Sequence, residues 1–290
     1  MNRRRKPAHD ARRHGPSVPP PVPVGNLRSA RGLFKDHFSE RAPGYARWRP
    51  RYPTALAEWL AEAAAARERA WDAGCGSGQL SLLLAERFGE VIATDASAAQ
   101  LEHARPHPHV EYRVATAEAS GLPSASVDLA VAAQAAHWFD LPRYWEEIRR
   151  VARPAAVVAL VTYGNAVVEP AIDEQVGSFY RHDLGRYWTP ERRLVENGYA
   201  TVDFPFEELR APSLTMSERW TAEQFVGYVG TWSAVQRLAR AGGAPRFEAF
   251  VRELREAWGG EPRDVTWPLS LRVGRVGPRR PSSPDPLVVA

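Results

Sequence analysis

Apolar positions follow one rhythm up to Gly164 and another beyond it. In the first part, short runs apolar on both faces alternate with stripes spaced three and four residues apart. "PTALAEWLAEAAAARER" (53–69) puts Leu56, Trp59 and Leu60 on one helical face, with Pro53 suited to a first turn. A strand is expected at 70–73, a helix at 79–88 with Leu80, Leu83, Leu84 and Phe88 as its stripe, and a buried strand at "VIATD" (91–95). Ser97 is placed to cap "AAQLEHA", and "VEYRVA" (110–115) reads as a third strand. "VDLAVAA" (127–133) and "AVVALVTY" (156–163) read as two more, separated by the amphipathic helix "PRYWEEIRRVAR" (142–153). Strands apolar on both faces, alternating with helices, form a parallel sheet covered on both sides. The expected fold class is α/β, a doubly wound sheet.

After Gly164, "ATVDFPFEEL" (200–209) and "VTWPLSLRVGRV" (265–276) predict two strands, and everything between them predicts helix. Thr221 with Gln224 makes a capping box for a helix through about Arg240. Pro245 opens another, carrying Phe247, Phe250, Val251, Leu254 and Trp258, with Gly259 as its stop. This insert, rich in Trp and Tyr, is expected to lie over the C-terminal edge of the sheet.

Composition narrows the class. The 290 residues, 44% of them apolar, can bury a substantial core, and no run reaches the roughly eighteen apolar residues of a membrane span. The single cysteine, Cys75, excludes a disulfide framework and a cysteine-rich zinc site, which fits a reducing, cytoplasmic setting. A pI near 9.4 invites a nucleic-acid reading. The charge is unevenly placed, however. Residues 1–31 hold eight Arg/Lys and one acid, whereas 32–277 hold 28 basic and 32 acidic residues, so the basicity belongs to the tails. The first segment mixes Arg clusters with a proline run and predicts a disordered tail, or translated sequence upstream of the start; 277–290 predicts a flexible end. His103, His107 and His109 fall in a proline-broken surface loop, and no metal site is expected.

The candidate chemistry starts at "WDAGCGSGQ" (71–79), a strand running into a glycine turn and a helix. A dinucleotide fingerprint needs a third glycine where Gln79 stands, and the lysine of an ATP phosphate loop is absent. What remains is an acid, Asp72, ahead of Gly74, Gly76 and Gly78. A ligand with a cationic amino-acid end would want that carboxylate close by, and S-adenosylmethionine has such an end. Asp95 closes the second strand, where a carboxylate accepts from ribose hydroxyls, and Glu118 follows the third.

On these residues the chain resembles the class I S-adenosylmethionine-dependent methyltransferases. "WDAGCGSGQ" is similar to their first motif, "ATDAS" to their ribose motif, "ATAEASGLPSASVDLAV" to their adenine segment and fourth strand, and "IRRVARPAAVVAL" to the segment usually seen as R-V-L-x-P-G-G. "DHFSERAPGYARWRPRYP" (36–53), "AQAAHWFD" (133–140) and "GYVGTWSAVQR" (227–237) look most like the trans-aconitate methyltransferase-like branch. The resemblance covers about 32–276. It implies a seven-stranded, mostly parallel Rossmann-like sheet with a helical insert before the last strand, the cofactor-binding core at about 54–164 and a substrate lid at about 165–199 and 210–262. It implies that Asp72, Gly74, Cys75, Gly76, Gly78 and Gln79 approach the amino-acid end and sulfur side of S-adenosylmethionine. Asp95, Ala96 and Ser97 would hold its ribose, and Thr116, Ala117 and Glu118 would border adenine. Thr116 stands where many relatives have Asp, and Pro154-Ala155-Ala156 replaces Pro-Gly-Gly, which matters where that turn needs a positive φ.

The implied reaction is methyl transfer to a small-molecule acceptor, with an organic acid carboxylate as the first candidate. Gln134 is a candidate contact to cofactor or acceptor, His137 a candidate base or donor to an acceptor carboxylate, and Trp138 a pocket wall. Tyr45, Arg49 and Tyr52 are candidates to close over the cofactor; Tyr228, Trp232 and Arg237 are candidates to touch substrate. Two alternatives stand beside this: an RNA or protein methyltransferase using the basic tail, and a non-catalytic relative that keeps the cofactor fold.

Overall fold

Each apolar run of the first half becomes a strand or helix, although the helix expected over 53–69 ends at Ala63 and the one after Ser97 ends at Leu101. Residues 48–277 are described by a computed structural model; the expected N-terminal tail, Tyr45 and all but Gly277 of the expected C-terminal tail lie outside the described residues. The helices of this half are α1 (Thr54–Ala63), α2 (Gln79–Ala85), α3 (Ala98–Leu101) and α4 (Leu141–Val151). Between them run β1 (Arg69–Ala73), β2 (Glu90–Asp95), β3 (Val110–Val114), β4 (Val127–Ala133) and β5 (Ala152–Tyr163). The insert and last strands are α5 (Pro170–Ser178), α6 (Arg192–Glu196), β6 (Glu207–Leu209), β7 (Thr215–Trp220), α7 (Ala222–Gly230), α8 (Ser233–Arg240), α9 (Ala244–Trp258) and β8 (Arg263–Arg275).

Strand order is β3-β2-β1-β4-β5-β8-β6, with β7 paired to the first half of β8. Strands β1 to β5 are parallel, and β8 runs antiparallel to β5. The sheet is therefore the mixed, doubly wound sheet expected. Side chains alternate across it: Ala70 joins Leu56, Leu60 and Leu84 on one face, while Trp71 joins Tyr144, Ile148 and Val151 on the other. A third apolar core lies within the insert, where Phe179, Phe225, Phe250 and Trp258 pack with Met216 and Trp267 of the β7–β8 pair. Chain order reverses at β1, since β2 lies on one side of it and β4 on the other. The carboxyl ends of β1 and β4 thus meet at the switch point where open α/β sheets bind ligands.

Three expectations for the second half are corrected. The segment 200–209 contributes only three strand residues; Pro205 offers no N–H, and the carbonyl of Val202 is taken by the Arg272 guanidinium at 2.6 Å while Phe204 and Phe206 pack on Trp145. Between the two expected strands lies a third, β7, which exposes Thr215, Ser217 and Arg219 and buries Met216 and Trp220. The capping box at Thr221 and Gln224 is present in both directions, but its helix stops at Gly230. Thr231 turns its hydroxyl back to the Tyr228 carbonyl at 2.6 Å, and Trp232 adopts an extended backbone before α8 begins.

The Pro-Ala-Ala substitution has a measurable cost. Ala155 has φ 62, within a register shift where β5 advances from Ala152 to Val157 while β4 advances from Val127 to Leu129. A Cβ in the left-handed region costs about 1–2 kcal/mol, partly offset by the greater backbone entropy glycine loses on folding. Ala155→Gly is expected to stabilise the fold by about 0.5–1 kcal/mol, read as a higher denaturant midpoint at unchanged slope. A lower midpoint would show that the turn is not strained.

Candidate functional site

The glycine turn leaves β1 with Gly74, Gly76 and Gly78 all at positive φ. At Gly74 a Cβ would stand 2.5 Å from the Ala135 Cβ, so only hydrogen fits; at Gly76 it would meet nothing nearer than Gln100 Oε1 at 3.8 Å, so that residue faces open space. Asp95 clasps this turn from the next strand: Oδ2 accepts from the Gly76 N–H and Oδ1 from the Ser97 N–H, each at 2.8 Å. Gln79 opens α2, Cys75 gives its thiol proton weakly to the Gly76 carbonyl, and Tyr112 stands against Gly78 with its hydroxyl on the Arg105 carbonyl. Thr116 and Ala119 form a bridge after β3, Ala117 is buried between them, and Glu118 accepts the Asp140 N–H at 2.8 Å.

Asp72 is the unusual group. It is buried beneath the turn; Ser81 Oγ donates to Oδ2 at 2.6 Å, while Oδ1 has no hydrogen-bond partner. Burial, with the nearby Asp95 charge and against the Ser81 hydrogen bond, pushes its pKa up to about 7. A buried carboxylate with an empty lone pair calls for a cation. Because the folded pKa lies above the unfolded one, the stability this group contributes is full below about pH 4 and lost as pH rises to about 7. At about 1.4 kcal/mol per pH unit the loss is about 4 kcal/mol. Asp72→Asn is expected to raise the ligand-free unfolding temperature at pH 8 and to leave it nearly unchanged at pH 5. An equal gain at both would remove the titration from this carboxyl.

Beside the turn, over the ends of β4 and β5, is a cavity. Gln134, His137, Trp138, Tyr163 and Gly164 line it from the sheet; Trp188, Thr189, Arg192, Tyr228, Trp232 and Ser233 from the insert; and Arg49 from the segment before α1. Gln134 stands at φ 53, a conformation that non-glycine residues keep where surrounding structure enforces it. Its amide is engaged on both sides, Nε2 donating to the Tyr163 carbonyl at 2.9 Å and Oε1 accepting from Thr162 Oγ1 at 2.7 Å. His137 Nδ1 lies 3.0 Å from the Tyr199 hydroxyl. Burial first, then the Arg192 and Arg49 charges, push the His137 pKa down to about 3, so the ring is neutral at working pH.

Arg49 donates to the Tyr163 hydroxyl at 3.2 Å and lies over the Tyr228 ring. Arg192 is set between the Tyr180 and Trp188 rings and donates to the Tyr180 hydroxyl and to Asn165. Among the described residues, no carboxylate lines the cavity and none lies within ion-pair distance of Arg192. Arg49 and Arg192 both line the cavity, among aromatic walls. Of the residues singled out in the sequence, the structure brings Arg49, Gln134, His137, Trp138, Tyr228 and Trp232 together. Arg237 does not line the cavity and donates to the Tyr187 carbonyl at 2.9 Å, and Tyr52 sits edge-on to Tyr163. Arg192, Trp188 and Tyr199 carried no sequence signal and come from short or irregular segments, whereas Tyr163 ends β5 and was read only as part of that strand.

Comparison with known proteins gives consistent matches. The family profile described as "Methyltransferase domain" matches residues 71–160. A protein of Dictyostelium discoideum named as a methyltransferase is 34% identical over 213 residues, 72% of this chain and 81% of that protein. A solved structure titled as a type II methyltransferase from Anaeromyxobacter dehalogenans is 55% identical, covering 80% of this chain and 99% of that one with a TM-score of 0.75. A Mycolicibacterium smegmatis protein named as an S-adenosylmethionine-dependent methyltransferase is 28% identical over 58% of this chain and 62% of its own length.

Proposed function

The chain belongs to the class I S-adenosylmethionine-dependent methyltransferases, and from that premise we propose that its acceptor is a small organic acid, methylated on a carboxylate oxygen. The observation that carries this reading is the pair of guanidiniums, Arg49 and Arg192, on a cavity whose described lining has no carboxylate. A guanidinium offers a planar fork of donors matched to a carboxylate, and inside an enclosed site such bonds are stronger than in water. The likeness of 36–53 to the trans-aconitate methyltransferase-like branch points the same way.

S-adenosylmethionine supplies an electrophilic methyl group on a sulfonium. The unpartnered Asp72 Oδ1 would suit its cationic amino-acid end and the open space at Gly76 would take the atoms beside it; Asp95 with Ala96 and Ser97 would hold the ribose, and Thr116, Ala117 and Glu118 would border the adenine. An ionised carboxylate is already a nucleophile and needs no base. His137, held near pKa 3, is too weak a base to deprotonate a phenol or alcohol, and its place suits a donor. Gln134, both ends of its amide engaged, fixes the ends of β4 and β5 relative to each other. Catalysis then rests on alignment, which supplies up to roughly 7–11 kcal/mol in well-oriented reactions.

The test is a panel of carboxylic acids, phenols and alcohols with the cofactor's methyl labelled. Label is expected in alkali-labile methyl esters of acids; label in phenol or alcohol ethers, with none in esters, overturns the assignment.

A further inference from the structure

Arg192 and Glu196 stand one helical turn apart on α6, the spacing at which opposite charges commonly pair along a helix face. No ion pair joins these two. The Tyr180 hydroxyl lies between them instead: Arg192 Nε donates to its oxygen at 2.9 Å, and the phenol is hydrogen-bonded to Glu196 Oε1. The directions follow from the groups themselves. A guanidinium has only donors, so the phenol oxygen accepts; a carboxylate has only acceptors, so the phenol proton goes to Glu196. A hydroxyl that donates to a charged group is itself a stronger acceptor.

The phenol is held for this from several sides. Tyr180 belongs to a wide, π-type turn at 179–183 that carries on from α5, and turns of this kind gather at functional sites. Phe179 stacks on Phe250 with ring centres 4.0 Å apart, and Arg246 donates to both Asp183 oxygens at 2.7 and 2.9 Å, so the turn is anchored at both ends. The Tyr180 carbonyl also accepts from Trp188 Nε1 at 3.3 Å, which ties down the second ring beside the guanidinium. Tyr180 is buried and Glu196 is at the surface, so a surface charge acts on the cavity through a shielded hydroxyl. A carboxylate in direct contact would occupy the guanidinium fork, whereas the phenol takes Nε alone. With Asn165 Oδ1 on Nη2 at 3.3 Å, both Nη1 hydrogens and one on Nη2 remain for a ligand.

We propose that Tyr180 and Glu196 are positioning residues: Glu196, acting through the Tyr180 hydroxyl, fixes the Nε edge of Arg192 so that the remaining Nη hydrogens meet the acceptor's carboxylate. The identity of that acceptor rests on the reading above; the grip on Nε does not. Nitrogen-15 NMR of the full-length, ligand-free protein follows the Arg192 Nε–H, assigned by its loss in Arg192→Met. Tyr180→Phe keeps the ring and removes the hydroxyl, and solvent exchange of that proton should quicken about tenfold, as expected for one lost hydrogen bond. Glu196→Ala, a surface change that keeps the test open should Tyr180→Phe lower stability, should quicken it several-fold, while Glu196→Gln, which still offers the phenol an acceptor, should stay near the original rate. KM for the methylated acid should rise about tenfold in Tyr180→Phe, with kcat within about twofold and cofactor affinity unchanged. In an Arg192→Met background the same change should add less than about twofold to KM, because the phenol acts through Arg192. Exchange unchanged in Tyr180→Phe or in Glu196→Ala overturns the proposal. So does a full rise in KM without Arg192, which would make Tyr180 a wall of the cavity only. If no acid is methylated, the acceptor assignment fails while the exchange measurement still decides the roles of Tyr180 and Glu196.

Discussion

Asp95→Ala is expected to weaken S-adenosylmethionine binding by about 100- to 1,000-fold. Two contributions act together. The carboxylate holds the Gly76 and Ser97 amides at 2.8 Å each, so its loss frees the glycine turn, which has three left-handed glycines and little intrinsic stiffness. It also removes the acceptors proposed for the ribose hydroxyls. Hydrogen bonds to charged groups contribute about 1.5–3 kcal/mol each, and every 1.4 kcal/mol is tenfold in affinity, so two such bonds at the lower end of that scale, about 3–4 kcal/mol together, give that range. Calorimetric titration with S-adenosylmethionine and S-adenosylhomocysteine measures it, and the ligand-free unfolding temperature reports the separate loss of the turn's clasp. Unchanged affinity would take the ribose role from Asp95. A fall in unfolding temperature with intact affinity would make the residue structural only.

What the sequence disclosed and what it concealed divide along a physical line. Strands β2, β4 and the second half of β5 were legible because both their faces are buried, which writes an uninterrupted apolar run, and because helices with their own stripes flank them; β3, with Glu111 and Val114 exposed, is the exception. The glycine turn and the acids at 72 and 95 were legible because backbone geometry and charge at strand ends are local features. β7 was not, because an edge strand with one solvated face needs only Met216 and Trp220 to hold it, and "TMSERW" reads as polar. The break at Thr231 was hidden by a helical spacing that continues through it, although the hydroxyl that returns to Tyr228 was in plain view. Ala155 could be flagged as a departure from Pro-Gly-Gly, yet whether it mattered depended on a φ that composition does not state.

The cavity shows the same division. Gln134, His137 and Trp138 leave a strand end, so their place followed from the topology. Arg192 belongs to a five-residue helix with no periodicity, and it reaches the cavity only because Tyr180 and Trp188 lie along its guanidinium. Tyr199 reaches His137 from 62 residues away through a backbone turn that nothing in its side chain announces.

Arg192→Met is the second change expected to act strongly, and its effect should fall on acceptor binding. Methionine keeps much of the aliphatic volume between the Tyr180 and Trp188 rings while removing the donors and charge. Loss of a forked, charge-assisted contact to a carboxylate, about 3 kcal/mol, gives a rise of about 100-fold in KM for the acid, with S-adenosylmethionine affinity unchanged and kcat within a few-fold. Arg192→Lys should recover only part of this, since a lysine supplies charge without the fork. The same removal lifts one of the two charges that depress the His137 pKa, so His137 should titrate at a higher pH in the variant, though burial still holds it below its ordinary 6.5. Arg192 also donates to the Tyr180 hydroxyl at 2.9 Å, so a modest loss of stability is expected and is read separately by thermal unfolding. A large fall in kcat at unchanged KM would place Arg192 at the reacting atoms rather than at an anchoring carboxylate. Unchanged KM and kcat together would remove the carboxylate from this side of the cavity.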